Sequence, residues 1–178
     1  MTAYDASTRV SELPFADPYM IIEEAFAIPV WQGGQRPAAS RPQTLAAVAQ
    51  ATGRTLAAVI NRLEEIAMLA ADIDISPAEL DGLLRGDGAK PLLLDVREPW
   101  EFAFCHLPDS VLLASLSLEK LLAELKASPR DVVTICHHGI RSTSAALFLR
   151  EKGVACVRSL KGGVEFWATT IDKNMPRY

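Results

Sequence analysis

Cysteine is scarce in this chain of 178 residues, and its three copies, Cys105, Cys136 and Cys156, form no C-x-x-C pair and make an odd number. That argues against a disulfide-framed secreted scaffold, so each thiol has to be judged by its own surroundings. An excess of positive charge is also missing. The 18 bases stand against 22 acids, a formal charge of -4, which leaves no global field to hold a nucleic-acid backbone or an anionic membrane surface. Apolar runs such as Pro91 to Val96 and Ala145 to Leu149 are far too short to cross a bilayer. From Met1 to Val10 no basic stretch precedes an apolar one, so no secretory signal is visible and a cytoplasmic location is expected. What is present is 49% hydrophobic and 22% charged residues. This composition excludes wholesale disorder and suits one domain or two small ones.

The chain divides by pattern near Ala71. Before it lies an expected small helical domain, residues 1–71. Its first 16 residues read as an arm, a short helix is expected from Tyr19 to Phe26, and Trp31 to Pro37 with the Ala-Ala-Ser-Arg-Pro that follows reads as loop. Then Thr44-Leu-Ala-Ala-Val48 recurs as Thr55-Leu-Ala-Ala-Val59. Each Thr is placed as a helix N-cap and Gly53 as a stop, which predicts a helical hairpin. Ala49, Gly53 and Val59 have the offsets of a helix-turn-helix unit. Against DNA reading, Thr55 to Ile66 offers only Asn61 and Arg62 as base readers, and Glu64-Glu65 would repel phosphates.

Residues 72–178 alternate short apolar runs with amphipathic stretches, the pattern of an α/β domain with an open parallel sheet and helices on both faces. Strands are expected at Ile73 to Ile75, Leu92 to Val96, Val111 to Ala114, Val132 to Ile135 and Val154 to Ser159. Helices are expected from Ser76-Pro77 to Arg85, Leu118 to Leu125, Arg141 to Lys152 and Val164 to Ile171.

The chemistry-bearing stretch is Val132-Val-Thr-Ile-Cys136-His-His-Gly139-Ile-Arg141-Ser-Thr-Ser: a buried strand, a six-residue loop, then a helix. In open α/β sheets the ligand crevice lies beyond the carboxyl ends of the strands. Loop N–H groups, the helix N-terminus and Arg141 would there favour Cys136 as a thiolate nucleophile, and Gly139 would permit the tight turn.

From about Asp72 to Tyr178 the sequence resembles the rhodanese family. The resemblance rests on Asp95-Val-Arg97-Glu98 with Glu101 after it, the His106-Leu-Pro108 turn, the Cys136-x-x-Gly139-x-Arg141-Ser142 loop, and Gly162-Gly163 followed by Trp167. It implies a sulfurtransferase in which Cys136 takes a sulfane sulfur from a donor such as thiosulfate, holds it as a persulfide and yields it to a thiophilic acceptor. Cys136 and Arg141 are the implied catalytic residues. His137, His138, Gly139, Ile140 and Ser142 are the implied binding residues, with the two histidines expected to line the pocket mouth, and Arg97 is a further binding candidate. The implied partners are a small anionic sulfur donor and a thiol, cyanide or protein acceptor; no cofactor, metal or membrane partner is expected, and the net negative charge argues against nucleic acid. The phosphatases and arsenate reductases that share the strand-loop-helix design have one residue more between Cys and Arg than the four found here. Phosphatase chemistry is the lesser reading. A sulfur-sensing regulator with a helix-turn-helix-like hairpin, or a binding module that recruits the acceptor, are alternatives from other classes.

Cys105 stands where the family usually has glycine, and Asp109-Ser110 where Gly-Ala is common. A non-glycine residue disfavours positive φ at these turns. Simpler readings hold for several residues. Cys156 reads as strand packing, Cys105 as packing or a resolving thiol, Trp167 as core, and Arg97 with Glu98 as an ion pair or turn anchor. Adjacent His137 and His138 are expected to point apart, which argues against a metal site. Trp31 and Phe26 are candidates for an interface.

Overall fold

The computed structural model describes residues 4–13, 15, 18–26, 42–127 and 129–178. The loop expected at 31–42 falls outside them except for Pro42, as does Trp31. Two compact units emerge, one of the described residues up to Leu69 together with Tyr178, the other Ala70–Arg177.

The first unit contains helices α1 (Pro18–Phe26) and α2 (Leu45–Thr52) and most of α3 (Leu56–Ile73). Both capping threonines act as such: Thr44 Oγ1 accepts from Ala47 N–H at 3.3 Å and Thr55 Oγ1 from Ala58 N–H at 3.2 Å. Gly53 ends α2 with φ +64°. Leu45, Val48, Val59 and Leu63 are fully buried. The N-terminal arm is tied down, with Val10 N–H on the Gln43 carbonyl and Leu45 N–H on that of Thr8. Arg62, one of the two expected base readers, is paired with Glu65 at 2.7 Å.

The second unit runs β1 (Asp74–Ile75), α4 (Pro77–Arg85), β2 (Leu92–Asp95), α5 (Pro99–Phe104), β3 (Val111–Leu112), α6 (Leu118–Ala127), β4 (Val132–Ile135), α7 (Ile140–Glu151), β5 (Val157–Leu160) and α8 (Gly163–Thr170). All pairings are parallel, in the order β1-β5-β4-β2-β3. Strand alternation sends Leu93, Val133 and Ile135 into one core with Leu80, Val164 and Trp167, and Leu92, Leu94 and Val132 into another with Leu121, Ala146 and Leu149. The expected two-faced α/β architecture is therefore present. Because β4 lies between β2 and β5, its carboxyl end opens where the chain leaves one side of the sheet for the other, the position at which such sheets hold ligands. No described helix is long and apolar enough to cross a membrane.

Several boundaries differ from expectation. Helix α3 passes Ala71 and ends at Ile73, since Ala70-Ala71-Asp72 carries no helix breaker, and β1 is correspondingly shorter. The last strand starts at Val157 because α7 ends in a Schellman-type cap: Gly153 takes φ +90°, and Val154 N–H is spent on the Leu149 carbonyl at 3.0 Å. Cys156 consequently lies outside the strand and is exposed, which corrects its reading as a packed strand residue. Helix α5 was not foreseen. Its signal was Glu98-Pro99-Trp-Glu101, proline in the first helical position and a capping-box glutamate whose Oε2 accepts from Glu98 N–H at 2.9 Å. The two family departures are absorbed differently: Cys105 is extended at φ -157°, whereas Asp109 enters the left-handed region at φ +60°, which Asp tolerates better than most residues.

Candidate functional site

Cys136 is the first residue beyond β4, and its loop runs directly into the N-terminus of α7. Gly139 caps that helix at φ +106°, where an added Cβ would lie 3.2 Å from the Gly162 nitrogen. The turn directs Gly139 N–H at Cys136 Sγ, 3.1 Å away, and Ser142 Oγ sits 3.3 Å from the same sulfur. Donors and the positive end of α7 thus converge on one thiol, an arrangement that favours the anionic form of sulfur. Cys136 itself has no accessible surface, so a reagent reaches the sulfur only when neighbouring groups shift.

Helix α8 holds the loop from the other side. Val164 N–H donates to the Cys136 carbonyl at 2.9 Å and Glu165 N–H to the His137 carbonyl at 3.2 Å. Backbone meets backbone because Gly163 has no side chain: a Cβ there would lie 2.2 Å from the Cys136 oxygen and 2.3 Å from that of His137.

Arg141 does not stand alone at the loop. Its guanidinium makes two bonds, 2.8 and 2.9 Å, to the two oxygens of Glu101, whose side chain is only 5% exposed. The bidentate geometry fixes the orientation of Arg141 and offsets part of its charge. Arg97, the further binding candidate, is held within the turn after β2. Its side chain has no exposure, grips the Asp95 carboxylate through Nε and Nη2, and donates from Nη2 to the Cys105 carbonyl at 2.7 Å. It anchors the turn after β2 through its pair with Asp95.

The histidines also depart from expectation. Instead of pointing apart at an open rim, His137 and His138 are both buried with rings stacked 4.0 Å apart. Burial, reinforced by His138, pushes the His137 pKa down to about 3, so the ring is neutral at physiological pH. Its Nε2 lies 3.9 Å from Glu165, a carboxylate that Arg177 also engages. Ile140 begins α7 and is half-buried. Among the described residues, no three His, Cys, Asp or Glu side chains gather as metal ligands would.

Sequence reasoning missed Ser159 and Thr143. Ser142 Oγ is 2.8 Å from Ser159 Oγ, and Thr143 Oγ1 is 3.3 Å from it. The available signal was a hydroxyl residue in a strand otherwise buried among apolar neighbours, a position where a polar group needs a partner.

A family model described as "Rhodanese-like domain" matches residues 76–170. Thiosulfate sulfurtransferase GlpE of Pseudomonas syringae pv. syringae is 40% identical over 94 residues, covering 53% of this chain and 86% of the relative. Adenylyltransferase and sulfurtransferase MOCS3 of Caenorhabditis briggsae is 32% identical over 126 residues, 66% of this chain but only 31% of that protein. Among solved structures, SSP1007 from Staphylococcus saprophyticus aligns with a TM-score of 0.48 at 22% identity, covering 59% of this chain and 99% of the other. The residues matched by the family model fall within the unit that carries Cys136.

Proposed function

Because this chain belongs to the rhodanese-like domain family, we propose that it is a sulfurtransferase whose nucleophile is Cys136 and whose donor is thiosulfate or a related sulfane compound. The observation that carries the reading is the convergence of Gly139 N–H and Ser142 Oγ on Cys136 Sγ at the start of α7. In the first half-reaction the Cys136 thiolate attacks the outer sulfur of thiosulfate; a new S–S bond forms, the S–S bond of the donor breaks, and its electron pair leaves with sulfite. In the second, an acceptor such as cyanide or a thiolate attacks the outer sulfur of the persulfide and the electron pair returns to Cys136. Splitting the transfer in this way replaces one difficult encounter by two displacements at sulfur.

Each supporting group has a task. The Gly139 amide, the Ser142 hydroxyl and the α7 terminus stabilise negative charge on sulfur as it forms and returns. Arg141 supplies positive charge at the donor, oriented by Glu101. Loop residues His137, His138 and Ile140 shape the surroundings, and the neutral His137 adds no charge of its own. The alignment with GlpE supports thiosulfate as donor over the family's other options. The N-terminal unit is read as a helical interaction module, since Arg62 is engaged by Glu65 and the helix surface carries acids beside it.

Sulfur transfer from thiosulfate to cyanide, followed as thiocyanate, tests this. Activity is expected in the intact chain and absent in Cys136→Ser. Turnover of an aryl phosphate without thiocyanate formation would instead support the phosphatase alternative.

A further inference from the structure

Ser142 has one hydroxyl proton and three acceptors within reach: Cys136 Sγ at 3.3 Å, the Gly139 carbonyl at 3.1 Å and Ser159 Oγ at 2.8 Å. The Gly139 carbonyl is already served twice, by Thr143 N–H at 3.0 Å and by Thr143 Oγ1 at 2.8 Å. Two donors fill the two lone pairs of a carbonyl oxygen. The Ser142 proton is therefore left to choose between the sulfur and Ser159.

Ser159 decides that choice. It is fully buried on β5, its proton can go to Ser142 Oγ, and in its contact with Thr143 Oγ1 at 3.3 Å Thr143 is the donor. Thr134, its register partner on β4, is spent on the carbonyls of Ser142 and Arg158. Two arrangements follow. If Ser159 donates to Ser142, Ser142 donates to sulfur. If Ser142 donates to Ser159, the sulfur loses a donor and the Ser159 proton loses the acceptor it has in the first arrangement. An anionic sulfur selects the first arrangement, because a hydrogen bond to a charged acceptor is the stronger one. The first arrangement also gives the buried Ser159 proton an acceptor, which the second does not.

We propose that Ser159 is a positioning residue for Cys136: by donating to Ser142 it commits the single Ser142 proton to the sulfur when that atom is anionic. The inference rests on Cys136 being the reacting thiol. It adds a residue outside the loop to the machinery, reached only through Ser142.

The test is a pH titration of the Cys136 thiolate in the full chain, read as ultraviolet thiolate absorbance after subtracting the matching Cys136→Ser protein. The charged groups around the loop, His137, His138 and Arg141 on the loop and α7, Asp95 on β2, Arg97 in the turn after it, Glu101 on α5 and Glu165 on α8, are left in place throughout. Ser142→Ala should lower the ratio of thiolate to thiol at a given pH about tenfold, and Ser159→Ala about threefold to tenfold. The double variant should fall no further than Ser142→Ala alone, and Ser159→Thr, which keeps the hydroxyl, should titrate like the unmodified chain. The proposal is overturned if Ser159→Ala titrates like the unmodified chain, if Ser142→Ala does so, or if the two losses multiply in the double variant. The comparison of single with double alanine variants decides even if the threonine variant does not fold. No sulfur donor enters this titration, so a chain that fails to accept sulfur from thiosulfate would end the sulfurtransferase reading while leaving the Ser159 result to stand or fall separately.

Discussion

Replacing Gly163 by alanine should separate α8 from the sulfur-bearing loop. The added Cβ would lie 2.2, 2.3 and 2.4 Å from the Cys136 oxygen, the His137 oxygen and the His137 carbonyl carbon, all of them backbone atoms that no rotamer change can move. Close carbon-to-oxygen approaches stop at about 3.3 Å, so the two segments must part by about 1 Å. That shift would break the bonds from Val164 N–H to the Cys136 carbonyl and from Glu165 N–H to the His137 carbonyl. Those two bonds are worth about 1 kcal/mol each net. The left-handed backbone, φ +58° at Gly163, costs alanine about 1 kcal/mol more, and repacking strain adds about 1–3 kcal/mol. The whole comes to about 5 kcal/mol, a lowering of the melting temperature by roughly 20 °C in a unit of this size. Gly153→Ala is the control, because Gly153 has φ +90° but meets only the flexible end of Lys126 at 3.6 Å. It should lose about 1 kcal/mol. Thermal melts of both variants measure the difference, and a Gly163→Ala protein that melts within a few degrees of the Gly153→Ala protein would refute the reasoning.

Other outcomes follow from the charged groups and the division of the chain. Glu101→Gln removes the carboxylate that holds Arg141; since Arg141 is 39% exposed and water screens it in part, the loss should be about 1–2 kcal/mol, seen in urea unfolding. An unchanged midpoint would mean that the pair contributes nothing to stability. Burial, offset in part by Lys161, holds the Asp74 pKa up at about 6 against an ordinary 3.8. The proton is then bound more tightly in the folded state, so the stability it contributes is present below about pH 4 and lost as the pH rises through about 6. Asp74→Asn should therefore raise the melting temperature at neutral pH and not near pH 4; comparing variant with parent at each pH cancels the opposite contribution of His137, and a gain of equal size at both pH values would contradict the assignment. A fragment beginning at Ala70 should melt cooperatively by circular dichroism, because it contains both apolar clusters of the sheet; a fragment with no transition would show that the division is wrong.

The elements legible in the sequence were those written in local chemistry. Thr44, Thr55, Ser76-Pro77 and Gly53 announce caps wherever they occur, and unbroken apolar runs such as Leu92 to Leu94 announce buried parallel strands. The loop from Cys136 to Arg141 was legible because glycine and arginine stand at fixed offsets from a cysteine at a strand end. What escaped depends on residues far apart in the chain. Nothing near Arg141 says that Glu101, forty positions earlier, holds its guanidinium, and nothing near Ser142 points to Ser159. The stacking of His137 on His138 and the burial of Arg97 against Asp95 likewise follow from how the loop is closed in by neighbouring elements. The short helix α5 escaped for a different reason: six residues carry too little periodicity to read, although its cap was visible.

The central claim, that Cys136 carries sulfur, is tested most directly by intact-protein and peptide mass spectrometry after exposure to thiosulfate. The account predicts one added sulfur on the peptide containing Cys136, lost on addition of cyanide with thiocyanate formed in equal amount. An adduct confined to Cys105 or Cys156, or no adduct at all while the protein remains folded, would contradict it.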